Sequence, residues 1–198
     1  MAAATIAVPH HELPPLAHVR GKLGMWCLII AESSIFCIFV VAYLYYAGKS
    51  LSGPTPKQVL EVPIFGSICL FSSSFTVWFA EKALHTGNHT RFRLCWFLTI
   101  ALGVIFLAGT AREWHKLIYQ DGLTIKTNLF GTTFYSLVGL HASHVIVGLI
   151  GLTVVMLLSL SGAVKQEHSP KVSVLAMYWH FVDWVWLVVL LVVYVITR

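Results

Sequence analysis

The sequence predicts an all-α integral membrane protein, a bundle of five transmembrane helices, on three observations. Hydrophobic residues make up 58% of the chain and charged residues 11%, with a mean hydropathy of +0.80, far from the soluble mix. A helix that crosses about 30 Å of hydrocarbon needs roughly 20 apolar residues, and the 198 residues divide into five such runs with short connections. Within those runs lie Glu32, His141, His144, His180 and Asp183. A charge at the centre of a spanning helix costs about 2.5–3.5 kcal/mol on insertion scales, so such groups are expected to turn toward protein and find partners.

Taken in order, residues 1–20 hold Pro9, Pro14, Pro15, His10, His11 and His18 with no basic start ahead of an apolar run. They are expected to form a surface arm, neither a cleavable signal nor a helix. The first span is expected over residues 23–46, interrupted only by Glu32. At the helical period, Met25, Leu28, Glu32, Phe36, Phe39, Tyr43 and Tyr46 fall on one stripe, which should face the bundle. Residues 48–58 carry Gly48, Gly53, Pro54 and Pro56 and read as an exposed connection. Pro63 suits the first turn of a second span over 62–84, because its missing N–H would have no helical partner there. The hydroxyl residues Ser67, Ser72, Ser73, Ser74 and Thr76 suit close helix packing in lipid.

A polar loop, 85–93, leads to a third span over 94–114 with Gly103 and Gly109 as expected close-contact points. It ends in Arg112-Glu113-Trp114-His115-Lys116, the composition of an interfacial anchor. Asp121-Gly122 marks a turn and Asn128 opens the fourth span, 129–161. The uncharged run continues to Val164, too long for one perpendicular crossing, so this helix should tilt or project. His141 and His144 share a face with Gly148 and Gly151, which marks the packing side. The last span is expected over 172–197, with His180, Asp183, Leu187, Leu190 and Tyr194 on one arc.

The net charge of +5 is spread over every loop, which suits anionic phospholipid headgroups and argues against nucleic acid. Cys27, Cys37, Cys69 and Cys95 lie in or beside spans without Cys-x-x-Cys spacing and read as small core residues. No His-Glu-x-x-His, di-iron Glu-x-x-His repeat, phosphate-binding glycine loop or nucleophile-base set appears, so neither catalytic residues nor a metal site is expected in this chain. The residues alone leave two other readings open. One is a haem-b electron carrier ligated by His141 or His144 with His180, and the other is a proton-coupled transporter built on Glu32 and Asp183.

Two motifs carry a resemblance: Gly139-Leu-His141-Ala-Ser-His144, then Tyr178-Trp179-His180-Phe-Val-Asp183. In this order near the C-terminus they resemble subunit III of the haem-copper oxidases, cytochrome c and quinol oxidases alike, in its short five-helix form. The likeness runs from about Gly21 to the end. It implies an accessory, non-redox subunit of a bacterial terminal oxidase, with no cofactor in this chain and the haems and copper in partner subunits I and II. It implies packing against subunit I, bound phospholipid in a cleft between the first two helices and the other three, and support for sustained, proton-linked oxygen reduction. Glu32, in Ala31-Glu32-Ser33, matches the family's buried carboxylate that reacts with hydrophobic carbodiimides. Glu32, His141, His144, His180 and Asp183 would form a lipid- or proton-linked polar interior, supported by Glu113, Trp179, Trp184 and Trp186. The chain departs from the pattern at Thr110, Ala142 and Ser173, the last standing where a Glu is common. The expected location is the bacterial cytoplasmic membrane, N-terminus inside and C-terminus outside, an orientation the Lys and Arg tally favours by seven to six.

Overall fold

The computed structural model describes residues 16–50 and 53–197. Five helices in it are long and apolar enough to cross a membrane, and no strand occurs among the described residues. They are α1 (Leu16–Tyr46), α3 (Ile64–His85), α4 (His89–Tyr119), α5 (Leu129–Leu160) and α6 (Ser169–Leu190), with a one-turn helix α2 (Pro56–Val59) between the first two spans. A 3-10 turn, Gln166–His168, leads into α6, and a π-helical segment, Leu191–Ile196, prolongs it.

The helices start and stop where local chemistry dictates, and most outrun their apolar cores. The arm expected at residues 1–20 lies outside the described residues as far as residue 15; from Leu16 onward the chain is already helical. No proline follows Pro15 until Pro54, so nothing breaks the backbone ladder ahead of the apolar run. Helix α4 extends beyond the expected 94–114 at both ends, because Asn88 caps it by accepting from Arg91 N at 3.0 Å and its belt continues to Tyr119. Asn128 caps α5 in the same way, accepting from Gly131 N at 2.8 Å. Gly131 is obligatory there, since a Cβ would sit 2.4 Å from the Thr124 carbonyl oxygen. At 32 residues α5 is about 48 Å long, which exceeds the hydrocarbon thickness as the sequence implies. The connection expected at residues 48–58 is exposed or half-buried where described, its Thr55 N donates to the Gln58 side chain at 3.1 Å, and the buried Leu60 follows it.

Helix α3 packs chiefly on α4 and α6, α1 on α5 and α6, and α5 on α4 and α6. This is not a division of the first two spans from the last three, because each of those two spans leans on the later helices. Trp179 is the centrepiece. It is wholly buried, its indole N–H donates to Ser73 Oγ at 2.8 Å, and its ring fills the space left by two glycines. A Cβ on Gly103 of α4 or Gly148 of α5 would stand 2.9 or 2.8 Å from that ring. Gly109, expected to serve the same purpose, has nothing within 4 Å of its Cβ position.

Candidate functional site

The side chains expected to share one polar interior fall into three separate groups. On α1, the predicted stripe is partly right: Phe36 and Tyr43 are buried and Met25, Glu32 and Phe39 half-buried, whereas Leu28 and Tyr46 are exposed. Glu32 Oε2 lies 3.1 Å from His144 Nε2 on α5. The other ring nitrogen, His144 Nδ1, lies 2.8 Å from the Leu140 carbonyl oxygen. A carbonyl can only accept, so Nδ1 carries a proton, and the Nε2–Oε2 contact then requires one further proton between the two groups. That proton resides on the carboxyl or on the imidazole, and the pair is neutral overall in either position. The Phe36 ring packs against His144 with centroids 5.0 Å apart.

A second group joins α3 and α6. Ser74 Oγ donates to Asp183 Oδ2 and lies 3.1 Å from His180 Nδ1. A hydroxyl has one proton, so with the serine donating to the carboxylate a neutral His180 donates from Nδ1 to the serine oxygen. Its Nε2 then offers a lone pair and has no bond to another described residue. Asp183 Oδ1 is buried and likewise without a partner among the described residues. These groups lie at the floor of a cavity of about 530 Å³ between the two helices, walled by Phe71, Phe75, Trp78 and Trp184.

His141 stands apart from both. It is buried among rings: stacked on Trp186 at 5.0 Å and 28°, and edge-on to Phe106 at 5.9 Å and to Phe36 at 6.5 Å. Neither of its nitrogens has a partner among the described residues. Trp186 is held from behind by donation to Ser67 Oγ at 3.0 Å. Of the supporting tryptophans, Trp179 and Trp186 are thus internal, whereas Trp184 is exposed. Among the described residues, no group of three or more His, Cys, Asp or Glu side chains is arranged to hold a metal ion.

A family model described as cytochrome c oxidase subunit III matches residues 10–198. The chain belongs to the cytochrome c oxidase subunit III family. Similar relatives carry the name cytochrome c oxidase subunit 3. That of Alkalihalophilus pseudofirmus is 31% identical over 94% of this chain and 92% of its own length. That of Synechocystis is 36% identical over 94% and 78%, and that of Thermostichus vulcanus 32% identical over 98% and 94%. As a member of this family the chain is a membrane-embedded subunit of a multi-subunit respiratory oxidase, with other oxidase subunits as its partners.

The subunit III motifs and the geometry meet at residues the sequence did not single out. Ser74 was one hydroxyl in a packing run, yet it bridges both polar members of the Trp-His-Phe-Val-Asp motif. The signal was the triplet Ser72-Ser73-Ser74: two adjacent hydroxyls point about 100° apart on a helix, so Ser73 takes Trp179 while Ser74 takes His180 and Asp183. Ser173, standing where the family often has Glu, donates to Glu81 on α3. The carboxylate is therefore present at this level, supplied by the neighbouring helix. Glu113 is not only an anchor: its Oε1 accepts from Tyr194 Oη at 3.0 Å. Tyr194 reaches it from the π-helical segment that prolongs α6. Leu187, expected on one arc with His180 and Asp183, lines the same cavity as they do, and Tyr194 is buried.

Proposed function

We propose that this subunit III is the accessory, non-redox subunit of a bacterial haem-copper terminal oxidase, which stabilises subunit I, holds structural phospholipid and sustains proton-linked oxygen reduction. The haems and copper would reside in subunits I and II, and the names of the relatives favour cytochrome c as electron donor. The N-terminus would lie on the cytoplasmic side and the C-terminus outside.

The observation that carries this reading is the Glu32–His144 pair. It joins the first span to the fourth, holds one transferable proton, and leaves 25% of the Glu32 side chain accessible from outside the bundle. An acid that is hydrogen-bonded yet reachable from the membrane can exchange a proton or meet a lipid without unfolding the helix that carries it. The experiment compares the oxidase purified with and without this chain. With it, activity persists through many turnovers; without it, activity decays. Glu32→Gln keeps a hydrogen bond but removes the transferable proton, and it should shorten the active lifetime more than it lowers the initial rate. Equal lifetimes with and without the subunit defeat the accessory role. Equal decay in variant and wild type defeats the role of Glu32.

A further inference from the structure

The groove between α3 and α6 has polar chemistry that the Glu32–His144 site does not use. Its floor is the Ser74–His180–Asp183 group, with Asp183 only 4% exposed and its Oδ1 unpartnered, and with His180 Nε2 unbonded beside it. Its rims are large rings turned outward: Phe75 is 67% and Trp184 69% exposed. Depth decides what belongs there. Asp183 lies 14 residues from Ser169 and 13 from Ile196, about 20 Å of helical rise from either end. Lipid headgroups sit at the edges of a hydrocarbon layer about 30 Å thick, so they do not reach this level. Acyl tails reach it but offer no hydrogen-bond donor. Tryptophan facing lipid belongs at the membrane interfaces, where its N–H meets water and headgroups, and Trp184 lies far from both.

We infer that this groove is the docking site for a transmembrane helix of another oxidase subunit, one that presents a hydrogen-bond donor at mid-membrane to His180 and Asp183. The lining runs two turns along each helix, from Phe71 to Trp78 and from His180 to Leu187, a length suited to one crossing helix. With Asp183 ionised, the polar floor is complementary to a donor, because a carboxylate oxygen and an imidazole lone pair both accept and neither can pair with the other. Small or hydroxylated side chains and amides are the donors that helices bring to such contacts in lipid. The inference rests on the accessory-subunit reading, since it needs a companion in the membrane.

The test places a photoactivatable benzophenone amino acid at Trp184 or Phe75 in the assembled oxidase, with Ile150 and Leu157 on the exposed side of α5 as comparison positions. Groove positions should give a covalent adduct with another subunit, mapped to a membrane-spanning segment, in excess of that from α5. Asp183→Asn, which keeps an acceptor for Ser74 but can turn an amide N–H toward the incoming donor, should weaken retention of the subunit in detergent about tenfold, the equivalent of 1.4 kcal/mol. Trp184→Ala, at an exposed site, should lower retention while leaving the melting of the isolated chain unchanged. If the oxidase purifies with this subunit in place but the groove positions capture only lipid, quinone or nothing, the inference is overturned and the accessory reading stands. If wild-type chain does not co-purify with any oxidase subunit, both fall.

Discussion

The two histidine–carboxylate groupings described above lie at different borders of the bundle and are built to opposite rules. Between α1 and α5, acid and imidazole meet directly, the Leu140 carbonyl fixes the ring, and the pair is neutral overall. Between α3 and α6 a serine stands in the middle, and both the acid and the imidazole are left with capacity to spare. A closed pair suits a group that exchanges a proton with its surroundings and returns to the same state. An open one suits a surface that is finished by something else.

The contrast can be broken most forcefully through what both sites share. Trp179 adjoins His180 and packs on Gly148, one turn from His144, and on Gly103, so Trp179→Ala should cost about 3–5 kcal/mol in the thermal unfolding of the detergent-solubilised chain, as large buried side chains do. A smaller loss would mean that the helices close over the void. Next comes Ser74→Ala, which strands His180 and Asp183 together and should cost about 1–3 kcal/mol in the same measurement. Glu32→Gln leaves a bondable amide beside His144 and should cost no more than about 0.6 kcal/mol, the average for a membrane hydrogen bond. Equal losses for these two substitutions would erase the distinction between an open and a closed site. The smallest effect belongs to Trp184→Ala, within about 0.5 kcal/mol for the isolated chain; a large loss would show that its ring already packs within the subunit.

How far the sequence could see is clearest at the paired histidines. Hydropathy gives five spans, and the helical period puts His141 and His144 on the packing side of α5, where both are found. Three residues apart, they differ by about 60° around the axis. That suffices to send His144 to a carboxyl on α1 and His141 into a ring of aromatics with no bond at all. Periodicity reports a face but not which helix covers it, and partner identity is a property of the assembled bundle. The same limit applies to Glu113. Its belt composition was visible, but its bond to Tyr194 depends on the π-helical segment of α6, for which neither a proline nor a glycine gives warning. Ser74 was hidden differently, by chemistry too common to stand out until the facing helix supplied its partners.

Helix α1 is seated on α5 and α6 and shows little of its surface to anything else in the chain. Because α5 and α6 follow it in the chain, α1 must wait for them to be made before it has a neighbour to rest against. During that interval Glu32 is without His144, its partner in the finished bundle. Synthesis halted before α5 should leave α1 adrift, an easy target for membrane quality-control proteases.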